Sequence, residues 1–298
     1  MSFLPLLTPK ARHFFGKIVR SRPADVPRMV ARRMFEAMSP APRGLRRTWF
    51  GDVAFDVDLS LHAIASKYYF QTHEMFLERI FRDHLKSGSI FVDIGANMGY
   101  WSAYSAHLVG RAGAVHAFEP APAFFVSVER LARANPGYAI HANNMALGAE
   151  DATLDMAVVA PSADNFANFD TNIGSSSLLP GFLDHARDLV ETVPVAVTTF
   201  DAYAARENLD LDRIGLIKID VEGFESFVFD GMARALAKPG RKIPILCEVL
   251  TDVARSPHLD GRAIVRRLEG QGYRCLDATT LAPIDLPSMS FEENILCV

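Results

Sequence analysis

The chain has 298 residues, 49% of them hydrophobic and 22% charged, with a net charge of −4. That length buries a full core as one large domain or two small ones, and the composition is that of a soluble globular enzyme; no apolar run is long enough to span a bilayer. The charge is uneven: residues 1–47 carry eleven Lys and Arg against Asp25 and Glu36 alone, which leaves an acidic body.

Residues 1–47 mix helical pieces with Pro5, Pro9, Pro23, Pro27, Pro40 and Pro42, so helices there are short. Phe14, Phe15, Ile18 and Val19 give one basic helix an apolar stripe, compatible with a membrane surface and equally with docking on the acidic body. Trp49 to Leu59 alternates around Gly51-Asp52 and predicts a hairpin. Residues 72–86 carry helical periodicity through Met75, Phe76, Ile80 and Phe81, with Gly88 as the stop.

From 89 onward strands and helices alternate. Strands are expected at Ser89–Asp93, Ala114–Glu119, Tyr138–Asn144, Ile214–Asp220 and Ile243–Val249, with helices near 99–108, 123–134, 225–236 and 262–269. Tyr273–Asp277 and Asn294–Val298 read as a closing strand pair. Apolar strands alternating with helices mean a mostly parallel sheet covered on both faces. Ala152–Val159 and Thr192–Thr198 read as an added hairpin around the polar stretch Pro161–Asp188; a connection this long is functional or disordered, and it reads here as a lid ahead of simple disorder. The reading divides the chain into a basic extension, 1–70, and a main domain, 71–298.

Such a sheet binds ligands at the carboxyl ends of its strands. The first strand ends in Asp93-Ile94-Gly95-Ala96-Asn97-Met98-Gly99, where Gly95 permits a tight turn and Gly99 lets the next helix start close to a ligand. A nicotinamide site wants glycine where Asn97 and Tyr100 stand. A positive sulfonium nucleoside makes no such demand and welcomes the carboxylate of Asp93. Glu119 closes the next strand, 24 residues after Gly95, where a carboxylate accepts both ribose hydroxyls. Asn144 and Met145, after the third strand, can reach an adenine edge and face, and Asn144 reads equally as a turn residue.

The strings FVDIGANMGY, VHAFEP, NNMALG, GSSSL, TTFDAY, IKIDVEGFE and ILCEV stand in an order and spacing that resembles the FkbM family over about 70–298. The resemblance implies a Rossmann-like class I methyltransferase, α/β with a mostly parallel seven-stranded sheet, using S-adenosyl-L-methionine to methylate a hydroxyl of a sugar, glycolipid or secondary metabolite. It implies that Asp93, Gly95, Asn97, Gly99, Glu119 and Asn144 hold the cofactor. Ala149 departs from the pattern, since the family often has Asp there.

An alcohol acceptor must lose its proton, which calls for a base or a metal such as magnesium. Asp220 is the foremost candidate for either role. Glu222, two residues on, faces the same side if the chain stays extended, and Glu248 closes the neighbouring strand. Both are candidates for binding the acceptor or sharing a metal, and Glu222 reads equally as a helix cap. Ser175, Ser176 and Ser177 can bind the cofactor's methionine end or the acceptor, with a plain turn as the alternative. His73 and His185 are alternative bases, and Lys218 receives no role. A nicotinamide oxidoreductase and a non-catalytic S-adenosylmethionine-binding protein are the competing functions.

Cys247, Cys275 and Cys297 are widely spaced with no CxxC, which reads as inert buried thiols in a reducing compartment. The N-terminus lacks the features of a secretory signal, so a cytoplasmic protein is expected; its basic N-terminus is compatible with peripheral membrane contact, the commoner alternative being an arm docked on the acidic body. A small-molecule or glycan acceptor is expected as partner, and no nucleic acid.

Overall fold

The computed structural model describes residues 23–38, 44–60, 64–159, 176–183 and 190–298. The expected stripe of Phe14 to Val19 lies outside those residues, as do His185 and most of the expected lid.

Helix α1 (Val26–Met38) precedes an antiparallel hairpin of β1 (Leu45–Phe50) and β2 (Val53–Asp58). Strand β2 is buried almost throughout, and Phe50, Val53, Phe55 and Val57 join the same hydrophobic core as the main sheet. Asn135 fixes the hairpin to the body: its Oδ1 accepts from the Ala54 amide and its Nδ2 donates to the Ala54 carbonyl, both at 2.8 Å. A short helix α2 (Ala65–Tyr69) follows, then α3 (Glu78–His84). The helix expected from 72 therefore starts later. Gln71 and Glu74 adopt positive φ (51° and 37°), and the Glu74 carboxylate accepts from Trp101 Nε1 at 3.2 Å and meets His73 Nε2 at 3.1 Å.

The main sheet is built as the alternation requires. Its strands are β3 (Ile90–Ile94), β4 (Ala114–Phe118), β5 (Ala139–Asn143), β10 (Ile214–Ile219), β11 (Ile245–Leu250), β12 (Cys275–Asp277) and β13 (Glu292–Cys297). The order is β12-β13-β11-β10-β3-β4-β5, parallel except that β13 runs antiparallel to both neighbours. Helices α4 (Tyr100–Val109), α5 (Pro122–Ala134), α6 (Phe200–Arg206), α7 (Glu225–Asp230), α8 (Ala233–Ala237) and α9 (Gly261–Gly270) lie between the strands in sequence. The helix expected over 225–236 is two pieces, broken at Gly231-Met232. This is a class I Rossmann-like α/β fold, and every residue of β3 and β10 is buried, as a sheet covered on both faces demands.

The inserted hairpin is also present. Strands β6 (Ala146–Leu147), β7 (Ala152–Val159), β8 (Ser176–Ser177) and β9 (Val190–Thr198) form a second sheet in the order β6-β9-β7-β8, with β7 and β9 antiparallel over their whole length.

The cysteine reading needs correction. Cys275 and Cys297 face each other across the antiparallel β12–β13 pair, Cα atoms 4.2 Å apart, and form a disulfide; only Cys247 is a buried thiol. The expected pairing of 273–277 with 294–298 already puts both cysteines on neighbouring strands; what it lacks is the register, which sets Cys275 directly opposite Cys297.

Candidate active site

Strand order reverses at β3: the chain leaves it toward β4 and β5 and later returns to its other side as β10 and β11. In an open parallel sheet, ligands bind outside the carboxyl ends of the strands at such a point. A cleft of about 1090 Å³ lies there, walled by these strand ends and, on the far side, by α1, α2 and the turn before α3.

The loop after β3 is shaped by close approach. Gly95 has φ +84°, and a Cβ there would meet the Asp220 carbonyl oxygen at 1.9 Å. Asn97 also sits in the left-handed region (φ 51°), where asparagine is tolerated better than most residues, and its Oδ1 accepts from the Met98 amide at 2.8 Å. Asp93 is 1% exposed; its Oδ2 accepts from Ser102 Oγ at 2.6 Å, while its Oδ1 is buried with no partner. Burial raises its pKa against the pull of Lys218 and Ser102.

Glu119 follows β4 at the cleft wall. Its Oε2 accepts from the Asn97 amide at 2.7 Å and its Oε1 from the Ala121 amide at 2.9 Å. Burial pushes its pKa up to about 7 despite those two N–H groups. Met145 and Ser176 line the same cleft, both half-buried. Two candidates sit differently from expectation. The space a Gly99 side chain would fill faces Leu131 Cδ2 at 3.3 Å, so this glycine serves the packing of α4 on α5 and is absent from the cleft lining. Asn144 also lies outside the lining, because its Nδ2 donates to the carbonyls of Glu119 and Pro120, each at 3.0 Å.

Beside the loop after β3, the ends of β10 and β11 carry an acidic cluster around Lys218. Lys218 pairs in register with Asp93 on the adjacent strand, so their side chains share a face. The lysine is 4% exposed, and its Nζ donates to Asp220 Oδ2 at 2.7 Å. Burial opposes its charge, but Asp220, Asp93 and Glu74 outweigh that and raise its pKa above the usual lysine value. Lys218, without a role in the sequence reading, is the centre of this cluster. Glu74 and Glu292 were likewise not singled out and line the cleft. Burial would raise the Glu74 pKa, but His73 and Lys218 hold it down at about 2.

Asp220, Glu222 and Glu248 all line the cleft. Their local geometry departs from the extended run expected: β10 ends at Ile219 and Glu222 turns through φ 52°. Glu222 does not cap the next helix, whose N-cap is Phe224 with no side-chain bond. Instead Ser177 Oγ donates to the Glu222 carbonyl at 2.7 Å and accepts from the Leu179 amide at 3.0 Å, pinning this turn to β8. Burial, then repulsion from Asp220, pushes the pKa values of Glu222 and Glu248 well above the usual carboxylate range. Among the described residues no three His, Cys, Asp or Glu side chains gather as a metal-holding group. His73 lines the cleft between the rings of Tyr68 and Tyr100, at 4.9 and 5.4 Å.

Comparison with known proteins bears on what this cleft does. The family profile of the methyltransferase FkbM domain matches residues 93–275. Methyltransferase 1 of Beauveria bassiana (strain ARSEF 2860) is 29% identical over 147 residues, 48% of this chain, and the match spans 58% of the fungal protein's length. Among solved structures, the methyltransferase FkbM from Methylobacillus flagellatus KT aligns with a TM-score of 0.42 at 13% identity, over 79% of this chain and 54% of that one. The S-adenosylmethionine-dependent O-methyltransferase from Thermotoga maritima aligns with a TM-score of 0.38 at 11% identity, over 85% and 84%. The profile match, across more than half of the chain, replaces the nicotinamide alternative: the chain belongs to the FkbM family of methyltransferases.

Proposed function

We propose that the chain transfers a methyl group from S-adenosylmethionine to a hydroxyl oxygen of a sugar, glycolipid or secondary metabolite. The observation that carries this reading is the ion pair of buried Lys218 with half-buried Asp220 in the cleft wall, with Glu222 and Glu248 lining the same cleft. The neighbouring strand ends fit the cofactor: a buried, unpartnered Asp93 Oδ1, a loop held against Asp220 by Gly95, and Glu119 at a strand end. Glu119 would take the ribose hydroxyls and Asp93 would face the positive end, with Gly95, Asn97, Met145 and Ser176 around them. When bound, S-adenosylmethionine supplies an electrophilic methyl group on a positive sulfur.

A hydroxyl attacks such a methyl well only as its proton is removed. Lys218 occupies Asp220 Oδ2, which leaves Oδ1 to accept that proton. Burial favours the protonated form of Glu222 and Glu248, the form in which a carboxyl donates a hydrogen bond to another oxygen of a polyol acceptor. Among the described residues the acidic side chains do not form a preformed divalent-cation site, so no step is routed through magnesium.

The test is methyl transfer from labelled cofactor to a panel of nucleotide sugars and glycolipids, with the methylated atom identified. Transfer to oxygen that Asp220→Asn reduces by about 10²- to 10⁴-fold, with cofactor affinity unchanged, supports the reading. Transfer to nitrogen or carbon, cofactor binding without any transfer, or full activity in Asp220→Asn overturns it.

A further inference from the structure

Helix α1 is amphipathic the wrong way round for a surface helix. Its charged residues turn inward: Arg32 Nη1 donates to Glu36 Oε1 at 2.6 Å, Arg28 reaches Glu78 at 3.9 Å, and Arg32 and Met29 line the cleft. Its exposed positions are Pro27, Val30, Ala31, Arg33, Met34, Ala37 and Met38, all apolar except Arg33. Val30, Met34 and Met38 repeat every four residues on one face, and Met34 and Met38 are 61% and 80% exposed. A water-facing helix carries its polar residues outward, so an apolar outer face marks a contact surface.

The face continues beyond the helix. Gln71 joins α1 to β1, accepting from Arg28 Nη1 at 3.4 Å and donating to the Trp49 carbonyl at 2.7 Å. Strand β1 turns Leu45 and Trp49 outward, 46% and 53% exposed, with Arg46 and Arg47 between them in the strand. Phe76, 45% exposed, stands at the cleft itself. The charge nearby suits an anionic surface: Arg46 is exposed, Arg33 and Arg47 are exposed while paired with Glu36 and Asp56, and the sequence that precedes α1 carries Lys10, Arg12, Lys17, Arg20 and Arg22 with no acid before Asp25.

We infer that the outer face of α1, with Leu45 and Trp49 of β1, docks on an anionic lipid surface and turns the cleft mouth toward it. The helix lies in the interface plane with Val30, Met34 and Met38 among the acyl chains, while basic side chains meet lipid phosphates. The acceptor is then a hydroxyl on a lipid-linked molecule presented at that surface. This last step rests on the proposed methyl transfer; the docking surface does not.

The experiment is co-sedimentation of the full chain, without cofactor, with vesicles of phosphatidylcholine alone and of phosphatidylcholine with phosphatidylglycerol. Binding is expected to the anionic vesicles, to weaken with salt, and to fall about fivefold or more in Met34→Asp/Met38→Asp. Val126→Asp is the control, since Val126 is 49% exposed on α5 and takes no part in the face; it leaves binding unchanged. No binding to anionic vesicles, equal binding by the double variant, or equal loss in the control overturns the inference. So does a dimer in solution that the double variant dissociates, because a second copy then covers the face. Calorimetry with S-adenosylmethionine on the same proteins separates a failure of the docking surface from a failure of the cofactor site.

Discussion

Lys218 illustrates what a single position conceals. It stands in the run IGLIKI, buried at every residue, so no alternation says which face its side chain takes. Only the pairing of Lys218 beside Asp93 puts its ammonium between two carboxylates. Glu119 is the opposite case, legible because a strand-end acid at that distance from Gly95 has few other uses. Its carboxyl, raised to about 7 by burial, ionises just where binding is measured. A ribose hydroxyl donates best to the ionised form, so cofactor affinity should rise from pH 6 to pH 8. Glu119→Gln should weaken binding by about 1–3 kcal/mol and flatten that rise. Calorimetry at the two pH values checks both, and a pH-independent affinity in the unaltered protein removes Glu119 from the ribose site.

Among elements, strands and helices of the main sheet are legible from apolar runs, whereas the turns between them are fixed by contacts that no local pattern carries. Several family strings prove to be such contacts. Asp201 of TTFDAY caps the start of α8, accepting from the amides of Arg234 at 2.7 Å and Ala235 at 3.0 Å, and Ser177 of GSSSL pins the Glu222 turn. Asn144, expected at the adenine, spends its amide tying the end of β5 to the end of β4. The loop after β3 is the sharpest of these elements. Gly95→Ala would place a methyl carbon 1.9 Å from the Asp220 carbonyl at φ +84°, so the β3 and β10 loops must separate. Strain of this kind costs about 1–3 kcal/mol and would misplace both Asp93 and Asp220. Thermal unfolding should show the loss of stability and calorimetry a loss of cofactor binding; an unchanged melting temperature would mean the loop relaxes freely.

At the scale of the molecule, the sequence discloses the layered sheet but not how charge is distributed inside it. Acids scattered over two hundred residues, from Glu74 to Glu292, meet in one cleft, and topology alone brings them together. Their burial ties stability to pH. Glu119 and Glu225 have folded pKa values near 7, and those of Glu222 and Glu248 lie well above 4.5. Above pH 4.5 the unfolded chain releases these protons while the folded chain keeps them, so their contribution to stability declines as pH rises through the folded values. His116 and Glu74 act with the opposite sign, but their folded values are about 4 and about 2, and above the unfolded histidine value of 6.5 neither adds a slope. The cofactor-free protein should therefore melt at a higher temperature at pH 6.5 than at pH 8. Glu248→Gln should reduce that difference by removing one carboxylate that must ionise in a buried wall. Scanning calorimetry at the two pH values decides, and a melting temperature that rises toward pH 8 would show that these carboxyls are already ionised in the folded state at pH 6.5.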